Sequence, residues 1–123
     1  MYTADTNVII YYLQDDSAAA DFFETVIIGH IPVYVSGVTE TEVLCYPPLT
    51  EKDIQAIEDA LALCTTIHTN SIITRQAAEL RRKYGVKTMD ALIAATALFT
   101  NSTLVTRNVR DFKRIPELSI EAI

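Results

Sequence analysis

Tryptophan is absent from this chain, and cysteine, glycine and proline are scarce: two, three and four residues in 123. So few glycines and prolines argue against a disordered or fibrous protein. The two cysteines, Cys45 and Cys64, are isolated and have no CxxC spacing. They make no disulfide framework and are expected to be reduced and buried, in a cytoplasmic protein. No apolar run approaches the ~20 residues of a membrane span, and Met1 leads almost directly into Asp5 with no basic or apolar leader. Neither a membrane anchor nor a cleaved signal is expected. GxGxxG and GxxxxGK[ST] are missing, which removes the sequence basis for a dinucleotide or P-loop site. His30 and His68 lie far apart with no acid or cysteine beside them and read as strand-end histidines. That leaves little support for a zinc site or a Ser-His triad.

Positive charge is nearly missing from the first 70 residues, where Lys52 stands alone against eleven acids. The remaining 53 residues carry nine basic residues and five acids, and the whole chain has a net charge of −6. An acidic protein binds nucleic acid poorly in general, but a local basic stripe still attracts phosphates. Both halves are equally consistent with ordinary solvated helix faces.

Half of the residues are hydrophobic, and a chain of this length buries roughly two-thirds of its unfolded surface. Residues 1–123 therefore read as one domain. A short strand at 2–4 precedes apolar positions at helical spacing, Val8, Ile9, Tyr12 and Leu13. A second helix starts near Ser17 and stops at Gly29. Tyr11, Tyr12, Phe22 and Phe23 fall at core-like positions and read as packing. A strand at 32–35 leads into a helix holding Val38, Glu42 and Cys45, which Pro47-Pro48 ends. Thr50 opens a helix to Leu63 with a capping-box-like start; 64–68 is β-branched; Asn70 caps a helix to Tyr84 that Gly85 closes. A strongly apolar helix covers 88–99, with strands at 103–106 and 118–120 and a loop or single turn at 108–112 between them. Strands alternating with helices predict an α/β domain with a short, largely parallel sheet of four to five strands and helices on both faces.

In such a sheet, binding residues collect beyond the carboxyl ends of strands. Asp5 follows the first strand; Asn108 and Asp111 follow the strand 103–106; Asp90 lies in the first turn of the apolar helix; Glu42 is one turn into a helix that itself follows a strand. Each has an ordinary alternative. Asp5 and Asp90 suit helix N-termini, Glu42 a surface face and Asp111 a solvated loop. Brought to one sheet edge, the four would repel one another unless a hard divalent cation neutralised them, and Mg²⁺ or Mn²⁺ takes few carboxylates and keeps its waters.

Four segments in series carry a family resemblance: Ala4-Asp5-Thr6-Asn7-Val8-Ile9-Ile10, Ser36-Gly37-Val38-Thr39-Glu40-Thr41-Glu42-Val43-Leu44, Thr88-Met89-Asp90-Ala91-Leu92-Ile93-Ala94-Ala95, and Leu104-Val105-Thr106-Arg107-Asn108-Val109-Arg110-Asp111-Phe112. In order, spacing and total length the chain resembles PIN domains, most closely the small VapC-type toxins of toxin–antitoxin pairs. The resemblance implies a Mg²⁺- or Mn²⁺-dependent ribonuclease with Asp5, Glu42 and Asp90 as catalytic metal ligands. Many relatives have an Asp directly after the Thr-Arg pair, where this chain has Asn108; Asp111 is the nearest carboxylate to take that place. Thr6, Asn7 and Thr106 match positions that orient the carboxylates, and Asn108, where the chain departs from the pattern, is expected to act beside them in the same supporting role. Arg107, Arg110, Lys113 and Arg114 are the candidates for gripping RNA phosphates. The resemblance further implies a homodimer and a cognate antitoxin that wraps the toxin and blocks its metal site with a basic residue.

Two rival readings belong to other classes. A catalytically silent PIN-fold scaffold would bind RNA or a protein without cutting; the three acids argue against it and Asn108 keeps it open. A phosphoryl-accepting domain would show paired acids or DxD after the first strand, where this chain has Asp5-Thr6-Asn7.

Overall fold

The computed structural model describes residues 1–45 and 50–123. Its elements run β1 (Tyr2–Ala4), α1 (Thr6–Leu13), α2 (Ser17–Ile28), β2 (Val33–Ser36), α3 (Gly37–Leu44), α4 (Glu51–Ala62), β3 (Thr65–Ile67), α5 (Ser71–Tyr84), α6 (Thr88–Phe99), β4 (Thr103–Thr106), α7 (Val109–Phe112) and β5 (Ile120–Ala122). The five strands are all parallel, in the order β3-β2-β1-β4-β5. The chain builds outward from β1 to β3, then returns to lay β4 on the other side of β1. The strand order therefore reverses between β1 and β4, and a crevice opens beyond their carboxyl ends, where open α/β sheets bind ligands.

Two apolar clusters cover the two sheet faces. One joins Ala4, Val8, Ile9, Phe23, Val35, Ile57, Leu61 and Val105, so α1, α2 and α4 share a side. The other joins Ile73, Leu80, Ile93, Ala94, Leu104 and Phe112, which puts α5 and α6 opposite. Full burial of a side chain such as Ile93 or Phe112 contributes about 1.5–3 kcal/mol. α6 is buried along Ala91, Ile93, Ala94, Ala95, Thr96 and Ala97, and its small side chains let the helix lie close against its neighbours. α3 joins both clusters, with Val38 in one and Val43 in the other. That position carries its acidic residue to the sheet edge.

The helix caps follow the sequence. Thr50 and Asp53 form a reciprocal capping box on α4, and Asn70 accepts from the Ile73 N–H at the start of α5. Gly85 closes α5 in the left-handed region with φ +68°.

Several boundaries differ from expectation. Gly29 has φ −80°, and the left-handed residue after α2 is His30 at +52°. His30 is thus an exposed turn residue, not a strand-end one, and His68 is exposed just past β3. The last strand lies two residues later than predicted. Leu118 is buried but sits in the preceding turn, its N–H donating to the Ile115 carbonyl, so its apolar signal came from a loop anchor. Cys45 is exposed rather than buried because it caps the C-terminus of α3 at the mouth of the crevice. Cys64 is half-buried, and burial pushes its thiol up to about 12, which leaves it protonated and inert. Phe23 is buried with half-buried Tyr12 and Phe22 against it, whereas Tyr11, expected to pack likewise, is half-buried beneath the Arg107 guanidinium. The Pro47-Pro48 helix stop lies outside the described residues.

Candidate metal centre at the sheet edge

Ala4 pairs with Val105 across β1 and β4, which sets Asp5 beside Thr106 at the carboxyl ends of the two central strands. Asp5 is 5% exposed and caps α1. Its Oδ1 accepts from the Thr6 N–H at 2.8 Å and its Oδ2 from the Thr106 hydroxyl at 2.8 Å. The Thr106 oxygen in turn accepts from the Asn108 N–H at 2.9 Å. A second relay reaches Glu42: the Thr6 hydroxyl donates to Glu42 Oε1 at 2.8 Å, so the Thr39 hydroxyl 3.0 Å away must donate to Thr6. Two acids from two helices are thus held by hydroxyls of fixed direction.

Asp5, Thr6, Asn7, Glu42, Asp90 and Asn108 line one cleft of about 280 Å³, together with Ile10, Cys45 and Ile93. Among the described residues, no basic side chain lines it. Burial pushes the Asp5 carboxyl above its ordinary range; hydrogen bonds from Thr106 and Thr6 pull it partly back, and the charges of Asp90 and Glu42 add to the upward push. Asp90 is raised by burial, then by the charge of Asp111, with Lys87 acting the other way and Glu42 adding to the rise. Asp111 stands behind the cleft wall, where its Oδ2 accepts from Asn108 Nδ2 at 3.1 Å.

The carboxylate donors are hard oxygens and repel one another, which suits a hard divalent ion, while the Cys45 thiol on the lining donates to the Glu42 carbonyl at 3.4 Å. Among the described residues, no three His, Cys, Asp or Glu side chains are gathered closely enough to ligate a single ion. An ion here would take one or two carboxylates and keep several waters, which is the habit of Mg²⁺.

Of the sequence-derived positions, Asp5, Glu42, Asp90, Thr6, Asn7 and Asn108 meet at this cleft, Thr106 supports it from beneath, and Asp111 reaches it through Asn108. Arg107 is exposed, but its guanidinium is engaged. It pairs with Asp16 at 2.5 Å, lies 4.0 Å over the Tyr11 ring and donates from Nε to the Ile123 carbonyl. Arg110, Lys113 and Arg114 are exposed. Thr39 and Cys45 escaped the sequence reading. Thr39 had a signal, since it precedes Glu42 by three residues on the same helix and shares its face; Cys45 had none.

A family-wide sequence profile described as "PIN domain" matches residues 2–118. The chain belongs to the PIN domain family. Over 123 residues, covering 96% of this PIN domain and 97% of its relative, it is 28% identical to the protein named Ribonuclease VapC19 from Mycobacterium tuberculosis. Among solved structures it resembles VapBC2 from Rickettsia felis bound to a DNA fragment from its promoter, with a TM-score of 0.86, 25% identity and coverage of 99% and 98% of the two chains. It also resembles a toxin–antitoxin complex from Klebsiella pneumoniae, with a TM-score of 0.81, 28% identity and coverage of 96% and 95%. The PIN fold thus spans essentially the whole chain. No helix among the described residues is long and apolar enough to cross a membrane.

Proposed function

We propose that this PIN domain is a Mg²⁺- or Mn²⁺-dependent endoribonuclease, the toxin of a toxin–antitoxin pair. The observation that carries the reading is the convergence of Asp5, Glu42 and Asp90 on one cation-free cleft at the strand-order reversal. Similarity to Ribonuclease VapC19 along the whole chain supports RNA as the substrate. When bound, the ion would supply charge neutralisation at the phosphate and make a water easier to deprotonate for attack.

The rest of the chemistry falls to the protein. Asp5 and Asp90 would hold the ion, and Glu42, fixed by the Thr39–Thr6 relay, would orient the attacking water or take its proton. Thr106 fixes the direction of the Asp5 carboxylate, and Asn108 with Asp111 closes the far wall. Arg110, Lys113 and Arg114 contribute phosphate contacts. Arg107 would have to release Asp16 and Tyr11 to join them.

An antitoxin partner belongs to this proposal, supported by the toxin–antitoxin complexes among the similar structures. A homodimer and a cytoplasmic location complete it; both cysteines are free, which suits a reducing compartment. One observation favours the silent scaffold: Asn108 occupies a rim position where a carboxylate would bind an ion more tightly, and its amide ties up Asp111. Cleavage of end-labelled transfer RNA by the purified chain separates the two. The nuclease reading expects discrete cuts with Mg²⁺ or Mn²⁺ that vanish in EDTA and fall at least about a hundredfold in Asp90→Asn. RNA bound but never cut, with either ion, supports the scaffold.

A further inference from the structure

The cations near the cleft are not equivalent. Among the described residues two ion pairs form, Arg107–Asp16 and Lys83–Glu79. The first commits the cation nearest Thr106 to the α1–α2 side of the molecule. The turn between α5 and α6 carries a different set. Lys87 is exposed, has no acid within ion-pair distance and is the N-cap of α6, three residues before Asp90. At a helix N-terminus the side chains of the cap and of the third helical residue stand beside each other. Lys87 therefore stands at the end of α6 that carries Asp90, although it is not itself among the residues that line the cleft.

Lysine is a poor choice for that position on helix grounds. It makes no side-chain cap hydrogen bond, and its charge opposes the positive end of the helix dipole. Such local conflicts concentrate where function sets the residue. The same turn is braced from two sides. Arg81 reaches from α5, its Nη1 donating to the Val86 carbonyl at 2.9 Å. Arg114 lies against Gly85, its Nη2 only 3.3 Å from where a β-carbon would stand. Arg114 also has no acid within ion-pair distance. Lys87, Arg114 and Arg81, none of them ion-paired, therefore gather at one turn beside Asp90, while the first 70 residues offer a single lysine and eleven acids.

We propose that the RNA strand leaves the carboxylate cleft over the α5–α6 turn, with Lys87 and Arg114 each taking a backbone phosphate. The inference rests on the ribonuclease reading for the nature of the strand. It adds Lys87 to the binding residues and gives the strand a path along the α6 side of the cleft. Gly85 serves the path twice: its positive φ shapes the turn, and its missing side chain leaves room for Arg114.

The test is equilibrium binding of a fluorescein-labelled single-stranded RNA, in EDTA, across a KCl series. Each phosphate contact contributes about 0.7 to the slope of log Kd against log salt for a single strand. Lys87→Gln and Arg114→Gln are each expected to lower the slope by about that amount while melting like the wild type. Lys83→Gln, whose charge is paired with Glu79, should leave the slope unchanged. A wild-type slope in either Lys87→Gln or Arg114→Gln overturns the path. Failure of the nuclease reading looks different: a wild type that binds RNA with the full slope but never cuts it with Mg²⁺ or Mn²⁺ sinks the chemistry and leaves the path standing.

Discussion

Asp5 performs three tasks with one carboxylate: it caps α1, accepts from the Thr106 hydroxyl and faces the acidic cleft. The Thr106 hydroxyl matters because it stabilises a buried charge. Thr106→Val should cost about 1.5–3 kcal/mol at neutral pH, the worth of a hydrogen bond to a charged group, read by urea unfolding. That cost should shrink once Asp5 is protonated. An unchanged midpoint at neutral pH would mean that Asp5 does not depend on Thr106. Asp5 and Asp90 both have folded-state values raised above the ordinary carboxylate range, chiefly by burial. The folded chain therefore takes up these protons before the unfolded chain does, and the metal-free protein should gain stability as pH falls through the raised values. Asp16, lowered chiefly by the hydrogen bond from Arg107, and Asp53, lowered by the Thr50 cap, work in the opposite sense: their contribution is lost only at lower pH, as they protonate. Stability of the metal-free protein should thus peak in mild acid; a steady decline from pH 7 to pH 5 would contradict the raised values. At this scale Asp5, Glu42 and Asp90 were legible as a set through the family-like segments that hold them, since each alone has an ordinary use as a cap or surface acid. The ties of Arg107 to Asp16 and Tyr11 were not, because they span residues 91 and 96 positions apart in sequence that meet only after folding.

Among the elements, the helices were read more accurately than the strands. α5 announces itself by an Asn cap, apolar spacing and a closing glycine, and α6 by a nearly continuous apolar run, which are local signals. The strands are three or four residues long, too short for alternation to register. β5 is an edge strand with no buried residue, so nothing in its hydropathy marks it, while buried Leu118 two residues earlier drew the reading there. The α5–α6 turn is where an element boundary bears directly on the site. Gly85 holds φ +68°, and any side chain there meets Arg114. Gly85→Ala should cost about 1–2 kcal/mol from the left-handed backbone alone, measured as a lower urea midpoint with an unchanged slope. A neutral substitution would mean that the turn relaxes freely and does not hold Lys87 in register with Asp90.

For the molecule as a whole, topology explains why residues scattered from Asp5 to Asp111 share one cleft. The reversal of strand order between β1 and β4 leaves their carboxyl ends uncovered, and α1, α3, α6 and α7 each bring one acid or its support to that gap. The acidic first half of the chain and the basic second half meet there. Burial and mutual repulsion raise the Asp5 and Asp90 carboxyls in the cleft, and on the proposed metal-dependent reading a cation bound there would relieve that repulsion and link stability to ion binding. The most direct measurement is therefore thermal unfolding of the wild type and Asp90→Asn, each with EDTA and with Mn²⁺. At a hundredfold excess over Kd, the ion should stabilise the wild type by about 2.7 kcal/mol, a rise in Tm of roughly 10 °C for a domain of this size. In EDTA, Asp90→Asn should melt higher than the wild type, and Mn²⁺ should barely move it. Equal melting of the two proteins in EDTA, with equal shifts in Mn²⁺, would contradict a divalent-ion site built on these carboxylates.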